Sequence, residues 1–397
     1  MTFGTIGRIA TDLRPRLLDA AFYALCAVFA AVTALTSTLL PHRAWGQVAW
    51  IGYAAGAVLV LLIARWRVIP LLFAATALLP LLIESIQRAA GRTDRAQEEV
   101  LVVERMGERL VHTGTPYLSH DAIAALPEPD RLMGYAPYQP GMAVFGLPRA
   151  AFGEAWWTDA RVWFAVATVF CLLWTLRLLA FSTRALPLAQ AVAVLPLCAL
   201  TLATGGDDLP VLALCLLALA LSANDRFLAA GVAVGLAGAL KLFALPVALV
   251  LLVLALSTRR RPAWFAAAAL GIPLLALLPA LLVDADAYLE NAVRFPGGHG
   301  LVTSPAQSPL PGYLIASALP AGRTVALALL LLAGAVIALL LVRNPPRSSG
   351  RAAAYIAAGL TAAIMLTPAT RFGYLLYPVA FLAFWWSQHK TREPVPA

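Results

Sequence analysis

Apolar positions fall into long unbroken runs, separated by short polar connections and by two long ones. Runs near 20 residues suit α-helices crossing a hydrocarbon core of about 30 Å, whereas a spanning β-strand needs only about 10 alternating positions. The pattern predicts spanning helices over roughly 18–40, 47–64, 68–88, 157–180, 186–204, 209–223, 263–283, 323–342, 352–368 and 372–388. Residues 227–256 form one further apolar stretch, with Lys241 near its middle and Pro246 just after. As one helix it would run about 45 Å, too long for the core. A re-entrant or short-helix hairpin is expected instead, with a first arm ending near Lys241 and a second returning to Ser257.

Charge placement supports the hairpin. With the N-terminus in the cytoplasm, it leaves Arg259, Arg260 and Arg261 on the same side as Arg65, Arg67, Arg184, Arg226, the loop from Arg343 to Arg351, and Lys390 with Arg392. That is the positive-inside pattern. Counting the arms separately gives about twelve segments, with both termini cytoplasmic. Two long loops, about 89–156 and 284–322, then face outward, where long loops tend to carry function. Arg8, Arg14 and Arg16 precede the first run, which reads as a retained signal anchor and not a cleaved leader.

Composition agrees. Of 397 residues, 61% are hydrophobic and 12% charged, whereas soluble domains are nearer half apolar and about 25% charged. The chain is therefore read as an all-α polytopic membrane protein. A soluble enzyme and a nucleic-acid binder are excluded, because the net charge of +9 sits in short loops beside apolar runs. Cys26, Cys171, Cys198 and Cys215 all fall within those runs and read as small buried hydrophobes. No spacing suggests a metal site, and no cofactor is called for.

Within the first outer loop, Asp94 to Thr113 reads as a helix lying in the membrane interface. With Glu99 at zero on a wheel of about 100° per residue, Val103, Met106 and Leu110 fall within about 40° of it. Glu104, Arg105 and Glu108 fall opposite. Glu99 is thus a carboxylate on the apolar side, where desolvation suits a general base. The alternative is a fixing ion pair with a nearby arginine such as Arg95. Tyr117 and Tyr138 follow, in Gly114-Thr115-Pro116-Tyr117 and Tyr135-Ala136-Pro137-Tyr138-Gln139-Pro140. They read as part of an ordered interfacial loop.

Lys241 stands out in a chain whose basic residues are nearly all arginine. A cation at membrane depth costs on the order of 2.5–3.5 kcal/mol on insertion scales, so a partner or a function is expected. The bland reading is a lysine capping carbonyls at the hairpin tip. Asp207 and Asp208, at an outward turn, read either as holders of a cation or, as adjacent aspartates there more often do, as caps of the helix that follows.

An outer-loop carboxylate ahead of a Gly-x-Pro-Tyr step, then the Tyr-x-Pro-Tyr-x-Pro segment, resembles the GT-C class of membrane glycosyltransferases. Within it, the chain resembles glycosyltransferase family 87, the polyprenol-phosphate-mannose-dependent mannosyltransferases. Leu240-Lys241-Leu242 with Leu245-Pro246, Ser304-Pro305-Ala306, and Arg371 followed by Tyr374, Tyr377 and Pro378 are similar to that family. The likeness covers roughly 68–388, which makes 1–67 an added N-terminal helix pair and 68–397 the catalytic module.

The resemblance implies a GT-C-like bundle at the plasma membrane with an extracytoplasmic site. It also implies a polyprenyl-phosphate sugar donor, a glycolipid or glycan acceptor, and an inverting transfer, of mannose by the family's habit. Glu99 matches the family's first-loop aspartate by spacing, Asp94 by residue type, and Glu98 is adjacent. Lys241, Arg371 and Arg294 are the candidates for the donor phosphate, and His299, Tyr117 and Tyr138 for substrate contacts. A multi-spanning transporter or lipid flippase is the alternative, since a broken helix with a buried charge also suits that class.

Overall fold

The computed structural model describes residues 3–388, with side chains from Leu13 onward. Lys390, Arg392 and the side chain of Arg8 lie outside the described residues. Among the described residues the structure is helical, with one isolated bridge between Gln307 and Thr370.

Among the described residues, seven helices are long and apolar enough to cross a membrane: Leu13–Thr36, Leu40–Leu62, Arg65–Ala89, Ala160–Leu178, Pro262–Arg294, Gly322–Arg343 and Ser349–Leu366. Thr183–Ala193 and Pro196–Thr204 pass as a pair bent by 44°. The bend falls at Pro196, which has no N–H to continue the ladder and starts a new helix. The count of about twelve is not reached by full-length spans. Asp208–Ala223, Phe227–Leu240 and Ala244–Ser257 are shorter, and Leu376–Gln388 has 13 residues.

The expected hairpin is present. Its arms, Phe227–Leu240 and Ala244–Ser257, have 14 residues each. Each arm therefore rises about 21 Å, short of a core of about 30 Å, and the tip at Lys241 stops inside that thickness. Cross-contacts fix the two ends of the bundle. Arg65 pairs with Asp19, Arg260 with Asp225, and Ser257 with the carbonyl of Pro346 at one end. Gln97 bonds Thr204, Lys241 bonds Asp208, and Arg371 bonds Glu99 at the other.

Two expectations need correction. Helix continues past residue 283 through Leu289 and a π-turn at Glu290–Arg294, so the second long loop begins later than 284. Asp284 leaves helical geometry, and its Oδ1 then accepts from the amide of Ala287, restarting the helix. The other concerns Glu104, assigned to the polar side of the first-loop helix. That helix, Glu98–Thr113, buries Val103 and Met106 as expected, but also Glu104. Arg88 and Arg149 hold the Glu104 carboxylate. Gly114, at φ +77, ends the helix in the left-handed conformation that glycine adopts without strain.

The helix is clamped against Pro140–Gly146. A Cβ at Gly107 would overlap the backbone of Gly146, so only glycines allow this approach. The first pair of spans is joined to the rest: Tyr53 donates to the carbonyl of Val194 and Gln190 to the hydroxyl of Tyr23. All four cysteines are buried and free.

Candidate active site

Glu99 sits in the first turn of the Glu98–Thr113 helix and forms an ion pair with Arg371, 272 positions away. Arg371 occupies the turn between Ser349–Leu366 and Leu376–Gln388. The second long loop straps that turn in place. Thr370 donates to the carbonyl of Ala306, Ser308 donates to the carbonyl of Thr370, and the Phe372 amide donates to Ser308 Oγ at 3.0 Å. The Ser304-Pro305-Ala306 segment thus positions Arg371. Burial alone would lower the Arg371 pKa, but Glu99 outweighs it and holds the guanidinium firmly charged. The partner of Glu99 is therefore Arg371, not Arg95.

Asp94 is elsewhere. It pairs with Arg92 at 3.0 Å and Arg95 at 2.7 Å. The hydrogen bond from Arg92 leads in holding its carboxyl down at about 2, which makes it a weak base. Glu98 is exposed.

Lys241 is 8% exposed. Its Nζ lies 2.6 Å from Asp208 Oδ1 and 2.7 Å from Asp207 Oδ2. It also stands 5.1 Å from the centroid of the Tyr138 ring, within cation–π range. Two carboxylates face this one ammonium, so its charge is already committed. Asp207 occupies the N-cap position but makes no side-chain cap bond, so the capping role expected for it gives way to holding Lys241. Tyr377 donates to Asp208 Oδ1 at 2.8 Å, and Phe243 stacks on Tyr377.

Tyr138 and Tyr374 join the two ion clusters. Burial first, then the charges of Asp207 and Glu99, push the Tyr138 phenol well above its ordinary pKa. Burial likewise pushes Tyr374 up to about 12, so both stay protonated donors at neutral pH. Tyr117 donates to the carbonyl of Tyr138 at 2.7 Å. Gln139 donates its amide to the carbonyl of Leu240, tying the Tyr-x-Pro-Tyr segment to the hairpin tip.

Arg294 and His299 are not in this cluster. Arg294 lies between Asp286 and Glu290, and His299 lines the same open recess. Among the described residues, no group of three or more His, Cys, Asp or Glu is placed to hold a metal ion.

A buried ion network behind the Glu98–Thr113 helix went unnoticed in the sequence. Glu104 pairs with Arg88 at 2.6 Å, Arg88 with Asp159 at 3.0 Å, Asp159 with Arg161 at 2.8 Å, and Arg161 with Glu84 at 3.2 Å. Glu84 and Arg161 interrupt or border apolar runs, and that signal was as readable as Lys241.

The family model described as glycosyltransferase family 87 matches residues 135–368. The chain belongs to glycosyltransferase family 87. The match takes in Tyr138, Asp207, Asp208, Lys241 and His299, while Glu99 lies well before it and Arg371 just after it. Membership of this family favours the enzyme reading over the transporter alternative.

Among solved structures it is similar to ArnT from Cupriavidus metallidurans bound to undecaprenyl phosphate, with a TM-score of 0.52 at 16% identity over 82% of this chain. The apo state of ArnT gives 0.49 at 17% identity over 80% of this chain and 58% of that one. At such identity the first likeness speaks for a shared GT-C fold alone. The chain spans 60% of the length of that ArnT chain. No curated protein matches the sequence.

Proposed function

We propose that the protein transfers a hexose, mannose by the family's habit, from a polyprenyl-phosphate donor to a hydroxyl of a glycolipid or glycan. The observation that carries this reading is the Glu99–Arg371 pair, a carboxylate and a cation facing each other beside buried Tyr138 and half-buried Tyr374. Glu99 takes the proton of the acceptor hydroxyl as the new bond to the anomeric carbon forms. The bond from that carbon to the phosphate oxygen breaks on the opposite side, and the configuration inverts. Arg371 receives the charge of the departing phosphate.

Undecaprenyl phosphate, bound by ArnT, is a lipid of the donor class proposed here. Lys241, bound by two carboxylates, serves as a positioning residue that sets Tyr138 and Tyr377, and Arg371 is the cation left for phosphate. The end carrying Glu99 faces away from the cytoplasm, because Arg65, Arg67, Arg184, Arg226 and Arg259 to Arg261 crowd the short connections at the other end.

The test is cell-free transfer from labelled polyprenyl-phosphate mannose into an envelope lipid extract. Glu99→Gln should lower the rate by about 100-fold or more, the usual loss for a general base. Asp94→Asn should leave it unchanged. Full activity of Glu99→Gln would remove that carboxylate from the role.

A further inference from the structure

A second polar site lies where the first long loop meets the end of the Pro262–Arg294 helix and the start of the second loop. It is an open recess of about 450 Å³, within the range of roughly 300–1,000 Å³ typical of small-molecule sites. It shares no residue with the Glu99, Arg371 and Lys241 clusters. His120 and Asp121 come from the first loop, Asp286, Glu290 and Arg294 from the end of the Pro262–Arg294 helix, and His299 from the second loop.

The floor of the recess is built rigidly. Glu290 is 1% exposed. Its Oε1 accepts from the Tyr135 hydroxyl at 2.9 Å and lies 3.2 Å from His120 Nδ1. Tyr135 stacks on Phe295, and its oxygen also accepts from the Leu301 amide. Asn291, in the π-turn, ties the first loop to this helix end, accepting from the amide of Ala136 and donating to the carbonyl of Leu118. Arg294 spans Asp286 and Glu290.

Charge decides what such a recess takes. Three carboxylates face one arginine and two imidazoles. Even with both imidazoles protonated the charges only balance, so a phosphate gains no net attraction. No metal-binding set of three is present among the described residues. Carboxylates accept hydrogen bonds and the guanidinium donates them, while a sugar hydroxyl does both.

Position adds to this. His120 follows Tyr117 by three residues, and Tyr135 precedes Tyr138 by three. Three extended residues reach about 10 Å, so the recess adjoins the ring over which Lys241 sits.

The geometry points to the recess as the seat of an uncharged sugar ring of the acceptor, next to the ring whose hydroxyl is glycosylated. This deepens the proposed function and rests on it for the word acceptor. Asp286, exposed at the rim, and His299 select among sugars by their hydroxyl pattern, since a site built to bond a hydroxyl rejects an analogue lacking it.

The test uses the full chain in lauryldimethylamine oxide, a detergent without sugar. Methyl α-mannopyranoside and methyl phosphate are probed separately by saturation-transfer NMR. The double variant Asp286→Asn with His299→Gln changes only exposed groups, so the fold is kept. Mannoside binding should weaken at least severalfold while methyl phosphate binding stays the same. In transfer assays the KM for the acceptor should rise at constant kcat and donor KM. Unchanged mannoside binding, or a loss confined to methyl phosphate, overturns the assignment. Wild-type protein that binds the mannoside through these residues but transfers no sugar would instead overturn the proposed function and leave the recess standing.

Discussion

Glu99 and Arg371 form an ion pair between the first turn of the outer helix and the turn before the last helix. The pair has two consequences for catalysis. While Arg371 holds the Glu99 carboxylate, the paired oxygen is turned toward the guanidinium and not toward an acceptor hydroxyl. A phosphate placed beside Arg371 competes for the same donors and would release Glu99. The base would then be freed only once the donor lipid is seated.

Arg371→Ala is therefore expected to lower kcat by about 100-fold or more, the usual cost of removing one donor to a developing anion. It should also raise the donor KM. Arg371→Lys should recover part of the rate, since a point charge keeps attraction but loses the planar fork. Steady-state kinetics with varied donor check this. An unchanged donor KM in Arg371→Ala would mean that another group holds the phosphate.

Lys241 carries a different expectation. Replacing it with methionine leaves Asp207 and Asp208 buried without their cation. Breaking a buried pair in this way costs about 3–5 kcal/mol. Thermal unfolding of Lys241→Met should show a clear drop in Tm, and Asp207→Asn in the same chain should restore part of it by removing a buried charge. A variant with normal Tm but raised donor KM would return Lys241 to the phosphate site.

Asp94 provides a pH test. Its carboxyl is held at about 2 against an ordinary 3.8. A lowered folded pKa contributes stability above the ordinary value and loses it as pH falls through the lowered one. The contribution is small because the pair is largely solvated. Asp94→Asn should thus differ from wild type by a constant amount between pH 5 and 8, with the difference closing only below pH 4. The pH–rate profile of transfer should be identical in the two proteins. A shifted acidic limb in Asp94→Asn would make Asp94, not Glu99, the titrating base.

Most of the helices were legible from local pattern, because a long apolar run needs no knowledge of its neighbours to be placed in a membrane. The hairpin at Lys241 was equally legible, since one charge and one proline broke a run too long for the core. Helix ends were less so: nothing local showed that the helix after Pro262 would restart at Asp284 and run on to Arg294. Glu99 was found on a wheel, yet its partner was not, because Arg371 lies 272 residues away and a wheel reports only one helix. The same limit hid Glu104. Its face looked polar, but Arg88 and Arg149 approach it from other elements and turn an apparent solvent side into an interior one.

That interior side carries the last prediction. Glu104 lies five positions after Glu99 on one helix, about 140° around the axis. Arg88 and Arg149 grip it from the Arg65–Ala89 and Leu147–Phe152 helices, and its Oε1 also accepts from the amide of Ala160. These contacts fix the rotation of the helix, and therefore the direction in which Glu99 points. Glu104→Gln keeps the shape and a hydrogen bond but removes the charge, leaving two arginines beside a neutral amide. The loss should be about 3–5 kcal/mol in stability, as for other broken buried pairs. At a temperature where the variant remains folded, kcat should fall while both KM values change little, because Glu104 touches no substrate. Glu104→Asp, which restores the charge one methylene short, should recover more kcat than Glu104→Gln. Equal kcat in the two variants would show that the network holds the fold without aiming Glu99.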